Sequence, residues 1–227
     1  MLQWILTSAV KNIFGGGASI FSKFHDIKPE KQERIINAAL REFAEKGFDK
    51  ASTNEIVKTA GISKGLLFHY FHNKKELFLY LYKYSLDVVT KDFYEKVDFS
   101  ERDMFRRFRH MALLKLELIS KFPEMLDFVL TAYLDNSAEI KSELSANNAD
   151  RLNSIYARIF QDIDTSCFKK GVDVKRAIEI FIWTLEGYAQ RMQRELKIRH
   201  YADMDTDAML RELDVYIDLL KECFYQG

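Results

Sequence analysis

Apolar residues recur every three to four positions along most of this chain, which is the spacing that puts them on one face of an α-helix. The pattern predicts a helix over about 29–46, two short helices within 52–72, and a longer helix from Asn73 to about Val97. Further helical segments are predicted at about 102–121, 123–134, 137–163, 173–197 and 206–224. With only 2 Pro and 9 Gly in 227 residues, the composition also favours long helices over strands and turns. We therefore expect an all-α fold of about nine helices.

The stretch from Ser52 to Lys74 has the end signals of two short helices joined by a tight turn. Ser52 or Thr53 is expected to cap the first helix, with Glu55 in the capping-box position after Ser52. Gly61 can end that helix in a left-handed conformation, and Ser63 is placed to cap the second one. The region 52–72 is thus predicted to be a helix-turn-helix.

The second of these helices has an unusual set of side chains on its predicted outer face. Once Leu66, Leu67 and Phe71 are assigned to the inside, the residues left outside are Lys64, Gly65, Phe68, His69 and Tyr70. This face would present a cation, two aromatic rings, an imidazole and a position without a side chain. Such a set is unusual for a surface that faces only solvent, and it favours contact with the major groove of DNA. The helix at 29–46 can cover the apolar side of the pair, which completes a three-helix domain.

The charge of the chain is distributed unevenly. Residues 28–75 contain ten Lys and Arg and six Asp and Glu, a net charge of +4, whereas the whole chain is neutral. A neutral chain is not a general polyanion binder, so a nucleic-acid surface must be local, and this segment is the part that carries positive charge.

Three domains are expected. Residues 1–27 are predicted to be a mobile or weakly docked extension, or sequence added by an upstream start codon; their apolar run is too short to span a bilayer. Residues 28–75 form the helix-turn-helix domain, and residues 76–227 form a larger helical bundle. Cys167 and Cys223 lie outside any CxxC pattern, and no secretory signal is evident, so we expect a cytoplasmic protein without a membrane segment.

Residues 30–80 resemble the DNA-binding domain of TetR-family transcriptional regulators. An amphipathic helix is followed by the pattern FxxxGF and then by STxxEIxxxAGISKGxLxxYFxxKxxL, a long series of residue types in fixed register. The matching positions are Phe43, Gly47, Phe48, Ser52, Thr53, Glu55, Ile56, Ala60, Gly61, Ile62, Ser63, Lys64, Gly65, Leu67, Tyr70, Phe71, Lys74 and Leu77. The helical remainder is compatible with the regulatory domain of that family.

This resemblance implies the DNA-contacting residues. They are Thr53, Ser63, Lys64, Gly65, Phe68, His69, Tyr70 and Lys74. Thr53, at the start of a helix, would bond a phosphate, and Lys74 would be a second phosphate anchor. Phe68 stands where members of the family commonly have a Tyr, so it can offer only apolar contact, for instance to a thymine methyl.

For the C-terminal region the resemblance implies a ligand site and a dimer interface. The expected lining of the ligand site is Met111, Phe128, Tyr133, Trp183 and Tyr188, although for each residue taken singly the favoured interpretation is ordinary core packing. The apolar stripes of 173–196 and 206–224 are expected to form a homodimer seam, because two helix-turn-helices must be held one DNA turn apart. No cofactor or metal is expected: no third ligand accompanies His69 and His72.

The function expected from these features is a ligand-responsive, DNA-binding regulator, most simply a repressor that binds a palindromic operator. An apolar or amphipathic molecule would release it by shifting the linking helix at 75–97. The alternative is an all-helical enzyme or an adaptor that does not bind DNA. An enzyme would need a nucleophile with its base or a pair of carboxylates, and the residue spacing reveals neither.

Overall fold

The computed structural model describes residues 21–146, 159–195 and 204–226. These residues contain ten α-helices, and the described part of the chain has no β-strand apart from one isolated bridge between Phe168 and Tyr225. The helices are α1 (Ser22–His25), α2 (Pro29–Lys50), α3 (Thr53–Ala60), α4 (Lys64–Phe71), α5 (Lys74–Lys96), α6 (Met104–Lys121), α7 (Pro123–Leu134), α8 (Ala138–Ala146), α9 (Val174–Glu195) and α10 (Thr206–Phe224). The all-α prediction is confirmed.

The chain divides into two compact units. The N-terminal unit contains α1 to α4, α5 as far as Val89, and the later helices α7 and α8. The C-terminal unit contains α5 from Thr90, and α6, α9 and α10. The division therefore falls inside α5, and residues 122–146 belong with the N-terminal helices, whereas the sequence suggested a boundary at residue 75.

The N-terminal unit is built on α2. Its buried face includes Ile35, Leu40 and Phe43, and it packs most extensively against α3 and α7. The ring of Phe78 lies 5.0 Å from that of Phe43 and 5.1 Å from that of Phe128, so helices α2, α5 and α7 share one aromatic core. Phe128 belongs to this core and not to the C-terminal unit.

Gly47 turns the chain at the end of the regular part of α2. Its φ of 69° and ψ of 177° interrupt the helix, in a region that L-residues with a side chain rarely enter. The next residue, Phe48, is 3% exposed and donates its N–H to Asp135 Oδ2 at 2.8 Å. Thr131 Oγ1 also donates to the Ala44 carbonyl at 3.0 Å, so α7 is tied to this bend by polar contacts as well as apolar ones.

The last residues of the predicted extension are part of the fold. Residues 1–20 lie outside the described residues, but Phe24 in α1 is completely buried, with its ring 4.7 Å from that of Phe71 and 5.5 Å from that of Tyr80. The expectation that 1–27 is mobile or weakly docked is therefore wrong for residues 21–27. The sequence did carry a signal, because Phe21, Phe24 and Ile27 stand three residues apart, but the prediction had set the whole of 1–27 aside.

The C-terminal unit has its own core around α6. Phe105 and Phe108 place their rings 5.2 Å and 4.7 Å from that of Phe181 in α9, and Tyr225 contacts Phe105 at 4.9 Å. Arg107 is buried and donates to four backbone carbonyls, those of Phe99, Glu101, Ile159 and Gln161, at 2.6–3.1 Å. One guanidinium thereby joins the turn before α6 to the segment around 159–161.

The helix boundaries follow the prediction closely at the C-terminus. The last helix begins at Thr206 and ends at Phe224, as the apolar stripe predicted. The prediction of one long helix over 137–163 lies partly outside the described residues; its described beginning is α8, which runs from Ala138 to Ala146.

Candidate nucleic-acid interface

The turn between α3 and α4 has the geometry that its sequence predicted. Gly61 is left-handed at φ 65° and ψ 43°, and the N–H of Ile62 donates to the Val57 carbonyl at 3.0 Å. The Ser63 hydroxyl accepts the N–H of Leu66 at 3.2 Å and so caps α4. These two ends fix the direction in which α4 leaves the turn.

The start of α3 is held in a different way from the one predicted. Ser52 makes no side-chain cap, and Glu55 lies 4.0 Å from Lys58 instead of closing a capping box. The Ser52 N–H donates instead to Glu42 Oε1 at 2.8 Å, a carboxylate that also binds Lys46. The predicted Ser52 cap is therefore wrong, and Glu42 of α2 accepts the N–H that Glu55 would accept in a capping box. Thr53 is the first residue of α3 and is half-buried.

Sequence reasoning missed Glu42, although it left a signal. It stands three residues after Ala39 and seven after Ile35, on the stripe that α2 buries, and it is 9% exposed. A carboxylate on an apolar stripe needs a hydrogen-bonding partner, and here it has a backbone N–H and an ammonium group. The hydrogen bond from Lys46 raises the pKa of that lysine.

The exposed surface of α4 contains most of the residues predicted to contact DNA. Ser63, Lys64, Gly65 and His69 are exposed, and Phe68 is half-buried. Lys64 Nζ lies 5.9 Å from the centre of the Phe68 ring, so the cation and the ring form one patch. A Cβ atom built on Gly65 would meet no atom within 4 Å, so no neighbour in the described residues requires glycine at this position.

Tyr70 does not face outward. It is 6% exposed, and its ring lies 5.7 Å from that of Phe24 and 6.4 Å from that of Phe71. The prediction placed it on the outer face because α1 was left out of the fold, and α1 is what covers it. The polar side chains exposed on α4 therefore include Lys64 and His69 but not Tyr70.

Lys74 is held by the N-terminal unit itself. Its ammonium group donates to the carbonyls of Asp49 at 3.1 Å and Ala51 at 3.0 Å, and it lies 4.8 Å from the centre of the Phe48 ring. An ammonium has three N–H groups, so one remains for a phosphate. The predicted cap of α5 is confirmed, because Asn73 Oδ1 accepts the Glu76 N–H at 2.8 Å.

The five residues predicted to line a ligand site are divided between the two units. Phe128 is buried in the aromatic core of the N-terminal unit, where Tyr133 is 48% exposed. In the C-terminal unit Met111 is buried, Trp183 is 64% exposed, and Tyr188 donates its hydroxyl to the Met209 carbonyl at 3.3 Å. Helical periodicity identified buried and exposed stripes but could not tell which unit each stripe joins.

The described residues offer neither a cluster of metal ligands nor a membrane-spanning helix. No group of three or more His, Cys, Asp or Glu side chains there could hold a metal ion. No helix among them is both long and apolar enough to cross a membrane.

Comparison with known proteins places the similarity on the helix-turn-helix. Residues 35–81 match the profile described as "Bacterial regulatory proteins, tetR family". A fatty acid metabolism regulator protein of Bacillus subtilis is 23% identical over 163 residues, which are 70% of this chain and 81% of that protein. A probable acrEF/envCD operon repressor of Escherichia coli is 25% identical over 122 residues, 53% of this chain and 54% of the repressor.

The fold is shared with solved structures. A TetR-family transcriptional regulator from Chloroflexus aurantiacus superposes with a TM-score of 0.64 over 91% of this chain and 98% of its own. At 20% sequence identity this likeness establishes the fold alone.

Proposed function

Since this chain belongs to the TetR family of transcriptional regulators, we propose that it is a repressor which binds an operator as a homodimer and leaves it when a small molecule binds. Each copy would place α4 in the major groove, with Lys64 and His69 at the base edges and Phe68 against a methyl group. Thr53 and Lys74 would contact phosphates on either side and fix the position of α4. Such a protein acts where the chromosome lies, in the cytoplasm.

The observation that carries this proposal is the open surface at Gly65. Glycine in a helix costs about 1 kcal/mol relative to alanine, and no described neighbour of Gly65 would clash with a Cβ. The absence of a side chain is therefore explained by something outside the described chain that approaches the backbone closely. A DNA backbone or base edge beside the first turn of α4 fits this requirement.

The dimer is supported by apolar side chains exposed on the last two helices. The exposed large apolar residues there are Ile180, Trp183, Val215 and Leu219, with exposures of 40–64%. Such residues on two neighbouring helices favour an interface with a second copy. In a dimer with twofold symmetry, the same apolar surface of each copy faces that of the other, so the exposed residues of α9 and α10 would be buried in one interface.

The effector would be bound by the C-terminal unit. One of the two relatives is named for fatty acid metabolism, and an apolar or amphipathic effector is consistent with that name. Helix α5 is continuous from Lys74, beside the helix-turn-helix, to Lys96 in the C-terminal unit. A change around its second half would reach α4 through this helix.

Replacement of Gly65 by alanine tests the proposal with two readouts of opposite sign. Gly65→Ala should keep or raise the free energy of unfolding, because alanine favours helix, yet weaken binding to the gene's own upstream DNA at least about tenfold. Glu139→Ala is the control, because Glu139 is an exposed residue of α8, outside both the helix-turn-helix and the proposed dimer interface. Binding is measured by mobility shift at several salt concentrations.

Two outcomes contradict the proposal. If Gly65→Ala binds DNA as tightly as the unaltered protein, then DNA does not approach the backbone at this position, and the observation at Gly65 no longer supports the proposal. The absence of salt-sensitive, sequence-specific binding by the unaltered chain would reject the regulator itself.

A further inference from the structure

Helix α6 carries a second buried cation whose environment differs from that of Arg107. Lys115 is 7% exposed, and among the described residues its ammonium group has no hydrogen bond and no ion pair. Eight residues earlier on the same helix, Arg107 uses its guanidinium to hold four carbonyls. Arg107 is therefore a structural cation, and Lys115 has no comparable role.

The position of Lys115 on α6 shows which residues share its face of the helix. It lies seven residues after Phe108, which is two helical turns, so the two side chains share a face. Phe108 packs against Phe181 and Phe160 at ring distances of 4.7 Å and 5.1 Å. Met111 and Ile119, one turn before and one turn after Lys115, are both 3% exposed. Lys115 therefore belongs to the face of α6 that is buried in the C-terminal unit.

An ammonium in such a place is costly unless something neutralises it. Burial lowers the pKa of Lys115 to about 7, and burial is the only cause of that shift, so no charged neighbour offsets it. A leucine or methionine at this position would fill the space without that cost. The residue is explained if its partner is supplied from outside the chain.

We propose that the C-terminal unit binds an amphipathic monocarboxylic acid whose carboxylate pairs with Lys115 Nζ and whose apolar body packs along Met111, Phe108 and Ile119. The count of charges limits the ligand class: one lysine compensates one negative charge, and no second cation of the described residues contributes to its environment. The apolar neighbours limit the rest of the molecule to a hydrocarbon-like body. This inference rests on the proposed function, because it identifies the class of effector.

The test compares two series of probes on the full-length protein. Straight-chain carboxylic acids of six to sixteen carbons and the primary alcohols of equal length are titrated below their micelle concentrations, by calorimetry and by thermal shift. The unaltered protein should bind at least one acid about tenfold more tightly than the matching alcohol. Lys115→Met should weaken acid binding at least about 30-fold, since the carboxylate is then buried without its partner, and should leave alcohol binding unchanged or tighter.

Lys121→Met is the matched control, because Lys121 is on the same helix but pairs with Asp92 at the exposed surface. It should keep the preference for acids. The inference is overturned if no acid binds, if acids and alcohols bind equally, or if Lys115→Met keeps the preference for acids while remaining folded by its thermal transition.

A separate measurement distinguishes this inference from the proposed function. Mobility shift without any probe tests DNA binding, and mobility shift with the bound acid tests release. An acid that binds through Lys115 without affecting the operator would support the ligand class and contradict the release mechanism. A protein that binds the operator but none of the acids would support the proposed regulator and contradict the ligand class.

Discussion

In the helix-turn-helix, polar side chains lie at helix ends and bond the backbone there, as Ser63 and Asn73 do. In the C-terminal unit the pattern is reversed: Arg107 and Lys115 are buried in α6, while Trp183 and Leu219 are exposed on α9 and α10. The first arrangement is complete within the chain. The second leaves a buried charge and an exposed apolar surface, which are the features that a ligand and a second copy would satisfy.

The largest effect that this comparison predicts comes from Arg107, the buried cation that donates to four backbone carbonyls. Arg107→Met should lower the free energy of unfolding by about 3–5 kcal/mol, because it leaves carbonyls from two segments without their donor. Arg106→Met is the control, since Arg106 is exposed and adjacent. Urea denaturation measures both. Equal stability of the two variants would show that water can replace the guanidinium.

Lys115→Met should act in the opposite direction and depend on pH. We expect it to raise the free energy of unfolding by about 1–4 kcal/mol at pH 6. The folded pKa of Lys115, about 7, is below the unfolded value of 10.5, so between these values the unfolded chain holds the proton and the folded chain does not. The stability contributed by this group therefore rises with pH across that range.

The advantage of Lys115→Met should consequently shrink above pH 7, by up to about 1.4 kcal/mol per pH unit. Denaturation of both proteins at pH 6, 7.5 and 9 measures this. A pH-independent difference would mean that the amine is not desolvated in the folded protein, and the contrast with Arg107 would disappear.

Replacement of Lys74 tests whether its ammonium group serves only the N-terminal unit or also binds DNA. Lys74→Ala should lower the free energy of unfolding by about 1–2 kcal/mol, because two carbonyls and the Phe48 ring lose their cation. If its remaining N–H also binds a phosphate, affinity should fall equally for all DNA sequences and the salt slope should fall by about one.

Lys83→Ala is the control for Lys74, because Lys83 is exposed on the same helix. Denaturation and salt titration of DNA binding separate the two roles. A loss of stability with an unchanged salt slope would make Lys74 purely structural, and a changed sequence preference would place it at a base edge.

Where the sequence predicted correctly, the determinants were local. Gly61 and Ser63 set the turn, and Asn73 caps α5, through atoms no more than five residues apart. Apolar periodicity gave the limits of α10 for the same reason. These features are decided by neighbouring residues before any helix meets another.

Where the prediction failed, a distant residue decided the outcome. Tyr70 is covered by Phe24, and the Ser52 N–H is taken by Glu42. Phe128 joins the aromatic core of α2 and α5, because an apolar stripe specifies that a face is buried and not what buries it. The DNA-contacting residues remain predictions, now restricted to those that are exposed or half-exposed.

The smallest predicted effect is the difference in stability between Ser63→Ala and Ser52→Ala, at two serines that were both predicted to cap a helix. Ser63→Ala should lower the free energy of unfolding by about 1 kcal/mol, because the Leu66 N–H loses the hydroxyl and keeps only the Ser63 carbonyl as acceptor. Ser52→Ala should change it by a few tenths at most, since only the backbone N–H of Ser52 is used, and alanine keeps that group. Denaturation of both variants measures the difference. Equal losses would contradict this distinction, because they would mean that the Ser52 hydroxyl also stabilises the start of α3.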